Sequence, residues 1–248
     1  MDVLALLSAK GGVGKTTTAV NLATQYALQG RRTLLIDLDP QGASGHLLRI
    51  SGDDGVKARK FWNGRGDLEP LIKAADIPGL DVLPASDSLR KTESVLDGLD
   101  RSKRRLEELL DRLEGWERVV IDCPPGLGLV SENVVRAAQV VLVPVTPSAL
   151  ALRTLEPLGA LARQYAGRLR PFVSMSRGES TVLTSLRQAW PQTLVTAIPL
   201  APVVELAAHD RVPVVVGASR TRIAQAYRDL LAEVELILHP TPIAQVPP

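Results

Sequence analysis

The sequence predicts an α/β fold: one mostly parallel, twisted sheet with helices on both faces. Three observations carry that expectation. Short β-branched runs alternate with longer segments of helical period, and several of those runs are apolar at nearly every position, as strands covered on both faces must be. A glycine-rich turn joins the first strand to the first helix.

In chain order, the strands fall at residues 3–8, 33–37, 80–84, 118–122, 140–145, 171–175 and 194–198. Helical spacing occupies residues 16–29, 104–113, 149–168 and 220–238, with Leu106, Leu109, Leu110 and Leu113 along one face of the second. Residues 50–67, where Gly52, Gly55, Gly64 and Gly66 stand amid charges, read as a surface excursion. A single domain is expected over residues 1–239, followed by a proline-rich, disordered tail at 240–248.

A chain of 248 residues, 45% hydrophobic and 23% charged, buries one substantial core and is neither disordered nor fibrous. Its 29 basic and 27 acidic residues leave a net charge of +2, so a polyanionic partner has to be sought in local clusters rather than in the total. The single cysteine, Cys123, excludes an internal disulfide, a four-cysteine zinc site and a cluster held by this chain's own thiolates. His46, His209 and His239 are dispersed and show no metal spacing. The opening residues lack the basic lead and cleavage pattern of a secretory signal, and prolines interrupt the longest uncharged stretches. A cytoplasmic protein without a membrane span is expected.

The chemistry concentrates in residues 8–18, SAKGGVGKTTT. Between a strand and a helix, successive backbone N–H groups and the helix N-terminus make a cradle for phosphate. Gly11, Gly12 and Gly14 let the backbone of this turn, with Val13 and Thr17, close around the phosphates of ATP. Lys15 is placed for the β- and γ-phosphates, and the Thr16 hydroxyl for Mg²⁺. Asp37 and Asp39 end the second strand, outside the carboxyl edge where an α/β sheet holds its ligand. Asp122 closes the run RVVID and has the position of a Mg²⁺-holding Walker B aspartate. Gly126 and Gly128 lie in the following loop, where their N–H groups can sense a γ-phosphate. Cys123, beside the aspartate, reads as a small buried residue without a role.

The strict P-loop pattern has glycine where this chain has Ala9, and an additional lysine follows at Lys10. KGGVGKTT resembles the deviant Walker A box of the ParA/MinD family of partition and positioning ATPases. DLDPQG at 37–42 is similar to that family's switch I, and VVIDCPPGLG at 119–128 to its Walker B strand and switch II. The segments at 137–145 and 197–215 resemble its later regions. The resemblance implies a P-loop NTPase fold and ATP hydrolysis. It also implies an ATP-sandwich homodimer in which Lys10 reaches the partner's phosphates, a cation in trans acting as an arginine finger does. By the same resemblance Asp39 positions the attacking water, and Asp37 and Asp39 join Thr16 and Asp122 around Mg²⁺. Adenine contacts are implied at Met175 and Pro199.

Two function classes share these motifs. The first is a DNA-segregation ATPase of the short chromosomal or plasmid type, nucleoid-associated and bound non-specifically to DNA. In it, a ParB-like centromere-binding protein stimulates slow hydrolysis and releases the dimer. Phosphate-neutralising arginines on the C-terminal part would carry the DNA contact. The candidates are Arg168, Arg170, Arg177, Arg187, Arg211, Arg220 and Arg222, with Arg177, Arg220 and Arg222 preferred. Leu200 stands where many partition ATPases have arginine. The second class is a MinD-like membrane-cycling or cargo-positioning ATPase, whose basic amphipathic anchor the uncharged, proline-rich residues 240–248 do not supply. Amide-forming ligases share the fold as a third possibility.

Overall fold

The computed structural model describes residues 1–50, 57–64, 68–148, 152–165, 167–178 and 181–240. The elements run β1 (Asp2–Leu6), α1 (Lys15–Leu28), β2 (Thr33–Asp37), α2 (Ala43–Leu47), α3 (Ala58–Trp62), β3 (Lys73–Ala74), β4 (Leu80–Leu83), α4 (Thr92–Asp97), α5 (Arg105–Leu110) and β5 (Arg118–Asp122). They continue with α6 (Leu129–Ala137), β6 (Val140–Val145), α7 (Gly159–Gln164), β7 (Leu169–Ser176), α8 (Thr181–Ala189), β8 (Ala197–Pro199), α9 (Val203–Asp210), α10 (Val214–Gly217) and α11 (Arg222–Leu238).

Among the described residues, eight strands form one sheet in the order β3-β4-β2-β5-β1-β6-β7-β8, parallel throughout except for the antiparallel edge pair β3/β4. The chain leaves β1 toward one edge and later returns to build the other, so the carboxyl ends of β1, β2 and β5 meet at a topological switch point. Register completes the placement: Asp122 pairs with Leu6 on one side and with Asp37 on the other.

Strand side chains alternate between two buried layers. Ala5, Ile36, Val119 and Ile121 face Phe61, Trp62, Leu106, Leu109 and Val134. Leu4, Leu6, Leu35, Val120 and Leu142 face α1 and α11 through Ala19, Leu22, Ala23, Tyr227, Leu230 and Leu231. At the amino end of β5, the buried Arg118 guanidinium pairs with Asp2 and with Glu235 at 3.2 Å, fastening α11 to the sheet.

Three sequence expectations change. Residues 58–62 of the expected surface excursion form α3, whose Phe61 and Trp62 are each only 1% exposed and meet edge-to-face at 4.8 Å. Trp62 Nε1 donates to Thr92 Oγ1 at 3.3 Å, so the indole is both packed and satisfied. Flanking glycines and charges hide a five-residue helix, anchored by Ala58, Phe61 and Trp62, from any periodicity test. The helix expected at 149–168 is two 3₁₀ turns, Leu152–Thr154 and Glu156–Leu158, and then α7, because Pro157 cannot continue an i→i−4 ladder and starts a new turn; residues 149–151 and 166 lie outside the described residues. The strand expected at 194–198 narrows to β8, although the Leu194 N–H still reaches the Pro171 carbonyl at 2.8 Å. Of the expected tail, residues 241–248 lie outside the described residues.

Trp62→Ala is expected to lower stability by about 3–5 kcal/mol in urea unfolding, the cost of a core aromatic; a loss under about 1 kcal/mol would return this segment to the surface.

Candidate functional site

The turn after β1 is held before it reaches any ligand. The Ser8 Oγ accepts the Lys10 N–H at 3.2 Å, and the Ser8 carbonyl accepts the Gly126 N–H at 3.3 Å. Gly12 and Gly14 take left-handed backbone, φ 70° and 90°. Gly14 is doubly constrained, since a Cβ there would also lie 3.0 Å from the Ser174 Oγ. Gly11 and Gly12 instead face open space, with nothing within 4 Å of a hypothetical Cβ. Helix α1 starts at Lys15 with no side-chain cap, leaving its first N–H groups for an anion. Lys15 is 6% exposed, and its ammonium donates to the Lys10 carbonyl at 3.2 Å. The Lys10 residue is exposed, Val13 is buried, and Thr16 and Thr17 are half-buried.

Two carboxyl groups stand side by side behind this turn, both fully buried. Asp37 accepts the N–H groups of Asp39 at 3.0 Å and Ser44 at 3.1 Å. Burial and the neighbouring Asp122 hold its pKa well above the usual carboxylate range. Asp122 is pushed up to about 6 by burial, against the pull of Ser44, Thr16 and Lys15. Its Oδ2 accepts the Ser44 hydroxyl at 2.7 Å, whereas its Oδ1 is buried with no hydrogen-bond partner among the described residues. An orphaned carboxylate oxygen beside the Thr16 hydroxyl and a second carboxyl is a donor set suited to a hard divalent cation such as Mg²⁺. Asp39 is half-buried, and its Oδ1 accepts the Gln41 N–H at 3.0 Å in the turn leading to α2. Burial raises the Cys123 thiol well above its ordinary pKa, which leaves it inert.

The loop at 124–128 is anchored from a distance. Glu93 of α4 accepts the N–H groups of Leu129 at 2.9 Å and Val130 at 3.2 Å, capping the N-terminus of α6. A Cβ on Gly128 would lie 2.6 Å from that carboxylate. Sequence reasoning misses Glu93 because it is 36 and 37 residues from its hydrogen-bond partners, and misses Ser44 and Ser174 because no motif spacing singles them out.

Met175 holds left-handed backbone, φ 59°, with its Cε 3.8 Å from the Cβ position of Gly14. The Leu200 N–H donates to the Ser176 carbonyl at 2.8 Å, joining the loop after β7 to the one after Pro199 at the end of β8. The candidate arginines divide. Arg168 binds the carbonyls of Val135 and Ala138 at the end of α6, Arg187 reaches the Val195 carbonyl, and Arg211 donates to the His46 carbonyl at 2.7 Å. Arg170 is half-buried. Arg177, Arg220 and Arg222 are exposed and make no ion pair with the described residues. Among the described residues no helix is long and apolar enough to cross a membrane.

Two outcomes follow from this geometry. Alanine at Gly128 displaces the Glu93 carboxylate, so Gly128→Ala and Glu93→Ala should each cost about 1 kcal/mol in urea unfolding, and the double variant little more than either; additive losses would deny the cap. The folded Asp122 pKa of about 6 exceeds the ordinary 3.8, so between those values the folded chain binds more protons than the unfolded one and stability falls as pH rises. Without metal or nucleotide, Asp122→Asn should therefore gain Tm over the parent progressively from about pH 4 to about pH 6, and a pH-independent difference would contradict the assignment.

Comparison with known proteins agrees with the site. A family model described as an AAA domain matches residues 1–175. The chromosome partitioning protein ParA of Myxococcus xanthus is 39% identical over 159 residues, which are 63% of this chain and 56% of that protein. The sporulation initiation inhibitor protein Soj of Bacillus subtilis is 31% identical over 246 residues, 94% of this chain and 97% of that protein. Among solved structures, the cobyrinic acid a,c-diamide synthase of Mycobacterium smegmatis with bound ATP analog and magnesium superposes with TM-score 0.76 at 28% identity, covering 96% of each chain. The septum site-determining protein MinD of Pyrococcus horikoshii, complexed with Mg-ADP, gives TM-score 0.79 at 22% identity, covering 96% of this chain and 97% of that one. A matching AAA-domain model, a near full-length Soj relative and a phosphate cradle backed by paired aspartates together establish that the chain belongs to the ParA/MinD family of P-loop ATPases.

Proposed function

We propose that this chain is an ATP-hydrolysing switch for DNA segregation, which dimerises around ATP, binds DNA non-specifically and is released when a ParB-like partner stimulates slow hydrolysis. The observation that carries the reading is the convergence at the strand ends of a left-handed glycine turn, a buried lysine and a buried carboxylate oxygen with no hydrogen-bond partner among the described residues. The names of the ParA and Soj relatives support the segregation role over the synthase that shares the fold.

The backbone of Gly11, Gly12, Val13, Gly14, Thr16 and Thr17 binds the phosphates, and Lys15 neutralises the β- and γ-oxygens from a site where water screens it little. Thr16 and Asp122, backed by Asp37, would hold Mg²⁺, which when bound neutralises and orients the phosphates. Asp39 orients the attacking water and accepts its hydrogen bond. Lys10 uses its carbonyl to hold Lys15 in its own subunit, while its side chain, at the rim of the cradle, is delivered to the phosphates of a second copy. Met175 and Pro199 border the adenine. Arg177, Arg220 and Arg222 form the DNA-contacting set and account for a cytoplasmic, nucleoid-associated distribution of the ATP dimer; phosphate contacts of this kind are sequence-tolerant and steeply salt-dependent.

In an Asp39→Ala background that blocks turnover, ATP should yield a dimer by light scattering, and adding Lys10→Ala should return a monomer that still binds ATP. Lys15→Ala should lose nucleotide binding altogether. Arg220→Ala/Arg222→Ala should keep the dimer and lose retention on DNA. A dimer indifferent to Lys10 defeats the sandwich, and sedimentation with liposomes without DNA retention replaces segregation by membrane positioning.

A further inference from the structure

Ser44 touches both buried carboxyl groups and belongs to none of the motifs. It lies in the first turn of α2, two residues after Gly42, where left-handed backbone (φ 64°) turns the chain back toward the strand ends. The residue is 0% exposed. Its N–H donates to Asp37 Oδ2 at 3.1 Å and its hydroxyl to Asp122 Oδ2 at 2.7 Å. Asp37 Oδ1 is already taken by the Asp39 N–H. The hydrogen bonds therefore use both oxygens of Asp37 and one of Asp122, and leave Asp122 Oδ1 without a hydrogen-bond partner among the described residues.

From this we infer that Ser44 is a positioning residue for the divalent-cation site and ties that site to the loop at 38–43. The inference rests on the nucleotide-and-Mg²⁺ reading above and deepens it. A carboxylate rotates freely about its last torsion unless one oxygen is held. The Ser44 hydroxyl holds Oδ2, which fixes the direction of Oδ1 and keeps two adjacent carboxyls from trading places around the cation. Because the same residue's amide holds Asp37, α2 has to stay docked for the hydroxyl to reach Asp122. Cation binding and docking of α2 are thus one equilibrium, and each favours the other. Removing such an orienting partner of a metal ligand typically weakens metal affinity by about 10–100-fold.

The test uses the full chain and Mn²⁺ as the probe, titrated by electron paramagnetic resonance in the presence of ADP, with metal-free ADP affinity measured separately. Ser44→Ala should weaken Mn²⁺ by about tenfold or more while metal-free ADP affinity is unchanged, a split that general unfolding does not produce. In an Asp122→Asn background Ser44→Ala should have no further effect on Mn²⁺. Hydrogen exchange at residues 38–48 should slow on adding Mn²⁺ in the parent and not in the variant. Ser44→Cys, which keeps the volume with a weaker donor, should fall between parent and alanine, and it decides the matter if the alanine variant unfolds. Equal Mn²⁺ affinity in the parent and either folded variant overturns the role of Ser44 alone. Failure of the parent to bind Mn²⁺ with ADP overturns the nucleotide reading and this inference with it.

Discussion

Two carboxyl groups buried side by side at the ends of adjacent strands set the terms for the rest of this structure. Water would solvate Asp37 and Asp122 far better than the strand ends do, and their charges repel, so burying the pair is a local deficit in folding free energy. Neighbours reduce that deficit without abolishing it. Ser44, Thr16 and Lys15 favour the charged form of Asp122, and backbone N–H groups favour that of Asp37. The residual frustration is what a cation relieves, and sites that keep such strain are commonly those that bind. Two continuous apolar layers over the sheet and the Arg118 cluster at its far end hold the strand ends together regardless.

The loops that surround the carboxyls pack on the core through Leu38 and Leu127, and individual hydrogen bonds set their position at the site. The loop at 124–128 touches the phosphate turn through one N–H, from Gly126 to the Ser8 carbonyl, and is steadied behind by the Glu93 carboxylate. Helix α2 is tied to the α9 end by an exchange of guanidinium bonds: Arg211 donates to the His46 carbonyl, and Arg49 to the Asp210 carbonyl at 3.1 Å. Each contact is a charge-assisted hydrogen bond or a lone amide bond near the surface, in the energy range where a bound phosphate competes effectively. The core strands beneath have no such alternatives.

What the sequence discloses about this fold follows from how local each signal is. The phosphate turn is legible because its glycines, lysine and threonine are contiguous and sit between an apolar run and a helical one. Asp37 and Asp122 are legible because each ends such a run. Their adjacency is not, since it depends on β5 inserting between β2 and β1. Ser44 and Glu93 act across 78 and at least 36 residues respectively, and no window holds both partners. Phe61 and Trp62 are hidden for the opposite reason: the signal is local but too short, one apolar turn between charged and glycine-rich flanks. Arg211, chosen on residue type alone, is occupied by a helix carbonyl, whereas Arg177, Arg220 and Arg222 are left to solvent.

How nucleotide state reaches the exposed arginines is constrained by α1 and α11. The two helices pack against one another, and α1 is pinned at two points, once to α10 and once to α11. Asn21 of α1 accepts the Val215 N–H at 3.0 Å, holding α10 just ahead of Arg220 and Arg222, and the Tyr26 hydroxyl donates to Glu235 at 2.8 Å near the other end. Both bonds are buried or partly buried, and Tyr227, Leu230 and Leu231 fill the space between. With α1 tied to α10 at one point and to α11 at another, and α11 packed along it, a slide of the fraction of a turn that would re-aim a guanidinium breaks these contacts. The phosphate turn at the start of α1 is therefore tied to the segment that carries Arg220 and Arg222. Under the function proposed above, the nucleotide would act on DNA affinity by the remaining route, bringing a second copy alongside and doubling the number of phosphate contacts on one duplex, so that affinity would rise by effective concentration rather than by reshaping either surface.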